Sequence, residues 1–434
     1  MDIYNHTTEM LAALVEKLPI GTNYALYQLL WMLISGKLLN SRGAIFPALQ
    51  ALGLDAAASR RVWNALRGGA WQIKALLDSW HRQVEAQGKW QAYQYAGYYV
   101  TAVDLSAYWR PALQGLKSQH YDRRAGKALR GIVLGLFGRV GHVGKQRLAV
   151  LTDVLHADLQ QSSEQVFYTQ VIRHVAQTLA PDELAVFDAG FKLKALLAAG
   201  IRRFVVRLPK NFTARRNVLP EYQGGRPPKY GTLVRPLART YKGKSRAATP
   251  PDHVETWQQQ GLSLRAEFWY DLVLPSCQPS PDNDTFTVVA IYDPRFSEPW
   301  LLACPLRLSG PEMAGIYHAR WPIEQLPLAA KHMVGAQRQF VSAPQSCYRL
   351  PELSLLAGSI LSYLAATAPP IPTGFWDRAP KATPGRLRRW LLGITFANLP
   401  PLIQHERIRQ KASVTTHLPK GILAHRRAKR PMHT

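Results

Sequence analysis

Four side chains in the last third of the chain have types and a spacing suited to phosphate chemistry. They are Tyr317, Arg320, Glu324 and Lys331. At roughly 100° per helical residue, this spacing puts all four within about 60° of one another on a helix. A carboxylate is a hard oxygen ligand for Mg²⁺, while Arg offers phosphate a bidentate contact and Lys a point charge. The structural alternative is an ordinary ion-paired helix face.

Two prolines interrupt this stripe of side chains. Pro322 suits the first turn of a helix, where the missing N–H is not needed. A helix that begins there leaves Tyr317 and Arg320 before it, so the shared stripe becomes approximate. Pro327 removes a helix hydrogen bond, and we expect it to kink the axis ahead of Lys331.

The elements that must position these residues change character along the chain. Residues 1–90 carry apolar side chains at helical spacing, and Asp55 or Ser59 is a candidate helix cap. Strand-like and helix-like segments then follow. The predicted strands are Tyr98–Val103, which ends at Asp104, then 131–137, 147–151, Leu184–Phe187, which is followed by Asp188, and 201–208. The Gly-rich stretch 138–144 is predicted to join the second strand to the third. The predicted helices are 164–179 and 191–199.

Three adjacent strands followed by alternating helix and strand predict an α/β fold. The order is that of a ribonuclease-H-like domain, a mixed sheet flanked by helices. From about residue 210 to 308, Gly, Pro and Thr are frequent and helical periodicity is weak. Short β-rich runs appear there at 268–274, 286–292 and 300–304. We therefore expect an inserted β domain.

Charge indicates the class of partner. Lys and Arg number 54 against 28 Asp and Glu, so the formal net charge is 54 − 28 = +26, while 47% of residues are hydrophobic. A folded chain this basic favours nucleic acid first and an anionic membrane surface second. Basic residues crowd the approach to the β-rich segment and its first part, which predicts a phosphate-contacting surface. They include Arg207, Lys210, Arg215, Arg216, Arg226, Lys229, Lys244 and Arg246.

Other classes of protein are disfavoured. Three cysteines, none in a C-x-x-C pair, predict neither a disulfide framework nor a zinc site, and they suit a reducing cytosol. The first 18 residues lack a basic leader before an apolar core, so we do not expect a signal peptide. The apolar run at 353–370 is a little shorter than the ~20 residues of a membrane span and predicts a buried helix.

The spacing Tyr317-x₂-Arg320-x₃-Glu324-x₆-Lys331 resembles the YREK signature of DDE transposases from bacterial insertion sequences. The adjoining Arg-Trp-Pro-Ile-Glu run strengthens the resemblance. So do three further segments, which together extend it over about residues 98–364: Asp188-Ala-Gly-Phe191, Arg207-Leu-Pro-Lys-Asn211 and Gly225-Arg-Pro-Pro-Lys-Tyr-Gly231.

The resemblance implies a ribonuclease-H-like catalytic core with a β insertion between the second and third of three acids. Asp188 is then the second acid and Glu324 the third. The first should end the first strand, which favours Asp104 over Asp153, the acid after the third strand. For any single Asp at a strand end, a turn or capping role is the alternative.

The chemistry that the resemblance implies is cut-and-paste transposition. Asp104, Asp188 and Glu324 would hold two Mg²⁺ ions, for which Mn²⁺ can substitute. Tyr317, Arg320 and Lys331 would grip phosphates near the cut, and Arg207, Lys210, Arg215 and Arg216 would contact DNA. Trp300 or Trp321 could stack on an unpaired base, although packing is the simpler role for each.

This interpretation predicts partners, location and domains. Double-stranded DNA is the partner, as transposon ends and target, with a homodimer in the DNA complex, no membrane, and a cytoplasmic protein that associates with the nucleoid. The expected domains are 1–92, helical and DNA-binding; 93–209, first part of the core; 210–310, β insertion; 311–378, last core helices; and 379–434, a basic segment. Two alternatives stay open: a catalytically silent DNA-binding relative and a nuclease that only hydrolyses.

Overall fold

The computed structural model describes residues 3–160, 163–241, 243–398 and 406–410. The N-terminal part is helical, as predicted. Its helices are α1 (Ile3–Val15), α2 (Thr22–Ile34), α3 (Lys37–Asn40), α4 (Ile45–Ala51), α5 (Ala56–Gly68) and α6 (Ile73–Ala86). Asp55 caps α5 by accepting a 2.6 Å hydrogen bond from the backbone N–H of Ala58, which confirms the predicted cap.

Strands and helices then alternate through the middle of the chain. They are β1 (Trp90–Ala92), β2 (Gln94–Tyr95), β3 (Tyr98–Trp109), β4 (Gln119–Asp122), β5 (Lys127–Val143), β6 (Gln146–His156), α7 (Glu164–Thr178), β7 (Glu183–Phe187), α8 (Leu193–Ala198) and β8 (Phe204–Arg207). The predicted helix 164–179 and strand 184–187 are confirmed within one residue at each end.

The β-rich segment and the last helices complete the fold. The strands are β9 (Ala214–Arg216), β10 (Leu233–Val234), β11 (Arg239–Tyr241), β12 (Lys244–Arg246), β13 (His253–Gln259), β14 (Leu262–Val273), β15 (Phe286–Tyr292) and β16 (Trp300–Cys304). The helices are α9 (Gly310–Ala319), α10 (Pro322–Leu328), a π-helical turn (Ala329–Met333), α11 (Pro344–Thr367), α12 (Pro384–Leu391) and a 3₁₀ turn (Phe396–Asn398).

The structure is a mixed α/β fold built on one large sheet. Five neighbouring strands lie in the order β6–β5–β3–β7–β8. The first three are antiparallel to one another, whereas β7 is parallel to β3 and β8 is parallel to β7. Helix α7 connects β6 to β7, and α8 connects β7 to β8.

The β-rich segment extends this sheet. Strand β16 pairs antiparallel with β8, and β15, β14 and β9 continue the sheet beyond it. Only β11 and β12 form a separate two-stranded sheet among the described residues. The segment has the predicted β character, but its strands other than β11 and β12 are hydrogen-bonded into the large sheet.

The two faces of the sheet are covered by different helices. On β3, Val100 and Ala102 pack into the cluster that contains α2, α6 and α11, while Val103 and Leu105 pack into the cluster that contains Phe167 of α7. This alternation follows from the period of two along a strand. Both faces are therefore covered, so that Thr101 and Ser106 on β3 are buried and Asp104 is half-buried.

Two strand boundaries predicted from the sequence were wrong. Strand β3 does not end at Asp104 but continues to Trp109, because its alternating side chains stay covered on both faces. The Gly-rich stretch 138–144 is not a connection, since β5 runs through it to Val143.

Two glycines of this stretch lie close to neighbouring elements. A Cβ on Gly138 would lie 2.6 Å from Cδ1 of Ile323, and one on Gly141 only 2.2 Å from the carbonyl oxygen of Gln91. These glycines allow close approach between elements.

Helix α11 lies in the core. It is the one described helix long and apolar enough to cross a membrane, and 89% of its apolar window is buried. It packs against the N-terminal helices, where Nε1 of Trp80 donates a 3.1 Å hydrogen bond to Oγ of Ser359. Such burial is what the core helix of a soluble protein shows, in keeping with the predicted buried helix.

Candidate active site

Two of the predicted acids lie side by side on neighbouring strands. Val103 of β3 pairs with Phe187 of β7 in parallel register, so the residues that follow, Asp104 and Asp188, are adjacent across strands about 4.8 Å apart. Asp104 lies inside its strand, and Asp188 follows the last residue of β7. The sheet therefore brings together two carboxylates that are far apart in sequence.

The third acid comes from a helix that packs on this sheet. Arg320 and Trp321 link α9 to α10, so Pro322 occupies the first turn of α10 as the sequence suggested. Helix α10 contacts β3, β5 and β6. On it, Glu324 is ion-paired with Arg320.

Arg320 is the buried cation of the site. Its side chain is only 10% exposed, and its Nε and Nη1 atoms have no hydrogen-bond partner among the described residues. Burial alone would lower the pKa of Arg320, but the carboxylates of Glu324 and Asp104 outweigh it and raise that pKa. The guanidinium therefore stays charged and keeps donors free for another acceptor.

The pKa of the Asp104 carboxyl is influenced by burial and by the charges of the other two acids. Burial raises the pKa of the Asp104 carboxyl to about 7; the Arg320 charge lowers it, and the charges of Asp188 and Glu324 raise it further. Repulsion between like charges in a buried site is the expected cause of such a rise. A carboxyl group in these surroundings would be stabilised as an anion by a bound cation.

Lys331 also faces this site. Its Nζ donates a 2.8 Å hydrogen bond to Oγ of Ser106 and lies 5.3 Å from the ring centroid of Tyr108. Burial lowers the pKa of Lys331 to about 8, opposed by the Asp104 charge. Lys331 lies in the π-helical turn after α10, rather than on a regular helix.

Ser106 and Tyr108 were missed by the sequence analysis. The signal that could have found them is the period of two along β3, which places residues 104, 106 and 108 on one face once the strand is known to continue. Tyr168 of α7 was missed as well. Burial and the charges of Asp188, Glu164 and Asp104 raise the pKa of its hydroxyl, so it lies near the acids.

Aromatic and basic side chains surround a pocket beside these acids. Nη1 of Arg207 donates a 3.4 Å hydrogen bond to the Tyr317 hydroxyl. The pocket has a volume of about 340 Å³ and is lined by Arg147, Arg207, Phe296, Trp300, Tyr317, His318, Arg320 and Trp321. Five of these were singled out from the sequence, whereas Arg147, Phe296 and His318 were not. The pocket combines cations with stacking surfaces.

Like Arg207, three more of the basic residues predicted to contact DNA have partners within the fold. Lys210 is ion-paired with Glu298, and Nε of Arg215 donates to the carbonyl oxygen of Pro275 at 3.1 Å. Arg216 forms a two-point ion pair with Asp252, with N–O distances of 2.6 and 2.5 Å. DNA contact by these residues stays a prediction, and Arg216 has a structural role in holding β9 to its neighbours.

Asp153, the alternative first acid, lies elsewhere. Its Oδ2 is 2.9 Å from Nε2 of His174 on α7, and its Oδ1 accepts from the backbone N–H of Val154. Because α7 covers the face of the sheet opposite to α10, the structure does not bring Asp153 to the other acids. Asp104 therefore fits the set of three better than Asp153.

The residues present fit a divalent metal by their chemistry. Three carboxylates are the ligands that Mg²⁺ prefers, and repulsion at Asp104 is what a cation would relieve. In the arrangement described, no set of three or more His, Cys, Asp or Glu side chains in the described ranges is grouped closely enough to hold a metal. Glu324 is turned to Arg320 instead, so metal binding would require it to leave that ion pair.

No protein-family model matches this chain, and no curated protein matches it. The resemblance to transposases therefore rests on the motifs quoted from the sequence.

Proposed function

We propose that this protein is a DDE transposase of an insertion sequence, which cuts and joins DNA with divalent metal ions. The observation that carries the proposal is that Asp104 and Asp188 follow paired residues of neighbouring strands, while Glu324, ion-paired with Arg320, comes from a helix packed on the same sheet. Lys331 reaches Ser106 on the strand that carries Asp104. Because the three acids are far apart in sequence, local structure alone does not bring them to one place. The matching sequence motif and the meeting of its residues in space are independent observations.

The sheet supports the proposal at the level of the fold. Three consecutive antiparallel strands followed by two helix-connected parallel strands are the order predicted for a ribonuclease-H-like core. In such a core the acids lie near adjacent central strands, as Asp104 and Asp188 do here. The β-rich segment falls between Asp188 and Glu324, the position that the resemblance implies for an insertion.

The chain's own residues divide the work of the reaction. Asp104, Asp188 and Glu324 would hold two Mg²⁺ ions, which when bound supply an activated water and stabilise the leaving oxygen. When Glu324 turns to this role, Arg320 gains a free face and can donate to the phosphate being cut. Lys331, held by Ser106, contributes a second positive charge.

The proposed reaction has two steps, and each is an in-line displacement. Water first attacks the phosphodiester at the transposon end and releases a 3′-hydroxyl group. That hydroxyl then attacks target DNA, and one phosphodiester bond forms as another breaks. Trp300 and Trp321 lie in the adjoining pocket, where an unpaired base could stack between cations.

The partners proposed are double-stranded DNA and a second copy of the chain. Joining two transposon ends requires at least two active sites in one complex, which is the reason for a homodimer. The proposed location is the cytoplasm, with the protein on the nucleoid when bound. The net charge of +26 favours DNA over an uncharged partner.

The alternative function is a DNA-binding protein without catalysis, or a nuclease that only hydrolyses. The ion pair between Arg320 and Glu324 favours the silent form if it cannot open. Strand-transfer products separate the nuclease from a transposase, since only the latter joins the released 3′ end to target DNA.

A cleavage assay tests the proposal. The substrate is a plasmid that carries the coding sequence with its native flanks, incubated with the full chain and Mg²⁺. We expect cleavage at the element ends, lost in Asp188→Ala with folding and DNA binding retained, and kept in Asp153→Asn as the matched control. Undiminished cleavage by Asp188→Ala would exclude the assignment, and end binding without cleavage in any divalent metal would favour the silent form.

A further inference from the structure

The loop between α11 and α12 presents two aromatic rings to solvent. The Phe375 side chain is 98% exposed and that of Trp376 is 66% exposed. Their ring centroids are 5.0 Å apart in an edge-to-face arrangement. Aromatic rings of this size are usually buried, so an exposed pair at a loop tip indicates an interaction site.

The loop holds this pair outward by specific contacts. A backbone bridge between Ile371 and Lys381 closes its base. Inside it, the Asp377 carboxylate accepts from the backbone N–H of Thr373 at 3.0 Å and from its hydroxyl at 3.1 Å. Arg386 of α12 pairs with Asp377 at 2.7 Å. The tip is thus braced from both ends.

A glycine sets the position of the second ring. A Cβ on Gly374 would lie 2.5 Å from the indole carbons of Trp376. Glycine at this position leaves room for the Trp376 ring to lie against the backbone before it, beside Phe375.

Positive charge surrounds the rings. Residues 371–390 contain five basic side chains and one acid, so their net charge is 5 − 1 = +4. The acid, Asp377, is already paired with Arg386. Arg378 lies two residues after Trp376, and Lys381 lies at the base of the loop; both are exposed, with no hydrogen bond or ion pair from their side chains in the described structure. An aromatic tip near free cations complements an anion that also offers stacked rings.

We propose that Phe375 and Trp376 form a wedge that inserts between base pairs of duplex DNA, while Arg378 and Lys381 contact the flanking phosphates. This rests on the proposed function and deepens it, because it assigns a second DNA contact outside the set of acids. Inserted apolar side chains unstack a base step and bend the duplex. Stacking on the rings and contacts with phosphates offset the cost of unstacking.

Metal-free binding to short duplexes tests the wedge separately from cleavage. One duplex is fully paired, and the other carries a central mismatch with 2-aminopurine beside it. A mismatched step is already partly unstacked, so the wedge should prefer it. We expect wild type to bind the mismatched duplex about ten-fold more tightly and to raise the 2-aminopurine fluorescence, in keeping with a lower unstacking cost.

Matched variants separate the rings from the charges. The double change Phe375→Ala with Trp376→Ala should abolish both the preference and the fluorescence rise, while Phe340→Ala, which removes another ring that is 70% exposed, should keep them. Changing Arg378 and Lys381 together to Ala should lower the slope of log K against log salt by about 2, at roughly 0.9 per phosphate contact. Thermal unfolding checks that each variant is folded.

Three other outcomes would each show that Phe375 and Trp376 do not insert into duplex DNA. If the ring variant keeps its preference for the mismatched duplex while plasmid cleavage is intact, the wedge is wrong and the proposed function stands. If the ring variant instead loses binding to phosphatidylserine vesicles and binds both duplexes as wild type does, the loop is a membrane contact. If wild type binds neither duplex, the wedge and the proposed function both fail.

Discussion

At the scale of single residues, Asp104 is the most informative group. It is a half-buried carboxyl whose pKa is raised to about 7 by burial and by the charges of Asp188 and Glu324, against the opposing charge of Arg320. A structural turn or capping residue would have no reason to be placed among like charges. The unfavourable position therefore indicates a site that holds a cation or a proton.

The pKa of Asp104 predicts a pH dependence of stability. Because folding raises this pKa from 3.8 to about 7, the folded state holds a proton that the unfolded state releases. The stabilisation that this proton gives the folded state is complete below about pH 4. It is lost as the pH rises towards 7 and is absent above about pH 7. Asp104→Asn should remove this loss and make the protein more stable at pH 8 by up to about 4 kcal/mol, at 1.36 kcal/mol per pKa unit.

Urea denaturation without divalent metal at pH 5 and pH 8 measures this effect. The difference in unfolding free energy between Asp104→Asn and wild type should be larger at pH 8 than at pH 5. The control is Asp282→Asn, which changes an exposed acid and should leave the two pH values equally affected. Equal effects of Asp104→Asn at both pH values would mean that Asp104 is not in a repulsive site.

At the scale of elements, the sequence predicted which segments are helices or strands better than it predicted the residues at which they begin and end. The helix that ends near Thr178, strand β7 and the strands β15 and β16 follow from local composition. The end of β3 did not, because Asp104 carries a strand-breaking signal that tertiary burial overrides.

The site was predicted in part for a related reason. Spacing singled out Glu324 and its neighbouring cations, and the resemblance pointed to Asp104 and Asp188, but the partners of Lys331 could not be predicted. The position of Lys331 beside Ser106 depends on a π-helical turn after Pro327. Such a turn cannot be predicted from a local sequence pattern. Likewise, the ion pair of Arg216 with Asp252 joins residues that only the sheet brings together.

A glycine in β5 sets how closely α10 approaches the sheet. Gly138→Ala would place a methyl group 2.6 Å from Cδ1 of Ile323, the neighbour of Glu324 on α10, and 3.3 Å from the carbonyl oxygen of Val150. Overpacking of this kind costs about 1–3 kcal/mol. We expect that loss in urea denaturation, together with slower cleavage because Glu324 moves with the helix.

The matched control for this substitution is Gly68→Ala. A Cβ at Gly68 has nothing within 4 Å, and the residue ends α5. Stability should stay unchanged or rise by up to about 1 kcal/mol, as for glycine replaced in a helix. If Gly138→Ala is as stable and as active as Gly68→Ala, the helix is not held by this contact.

At the scale of the whole molecule, charge that is not paired within the fold should govern DNA affinity. Four exposed basic side chains of the β-rich segment have no ion pair in the described structure: Arg226, Lys229, Lys244 and Arg246. Changing all four to Ala should weaken duplex binding and lower its salt slope by about 3 to 4, at roughly 0.9 per phosphate contact. Fluorescence anisotropy over a range of salt concentrations measures the slope.

A second set of four removes the same formal charge from paired positions. Arg202, Arg265, Arg295 and Arg307 are each ion-paired with an acid in the described structure. Changing these to Ala should alter the slope less, because their charges are already offset by carboxylates. Equal slopes for the two sets would show that net charge alone, and not the unpaired surface, controls binding.

Binding of Mn²⁺ tests the central claim most directly, because it asks whether the three carboxylates form one metal site. Electron paramagnetic resonance reports free Mn²⁺ as it is titrated into the full chain bound to DNA that carries the element ends. We predict Mn²⁺ uptake by wild type and by Asp153→Asn, and its loss in Asp104→Asn, Asp188→Asn and Glu324→Gln. Uptake that is the same in all five proteins would contradict the account.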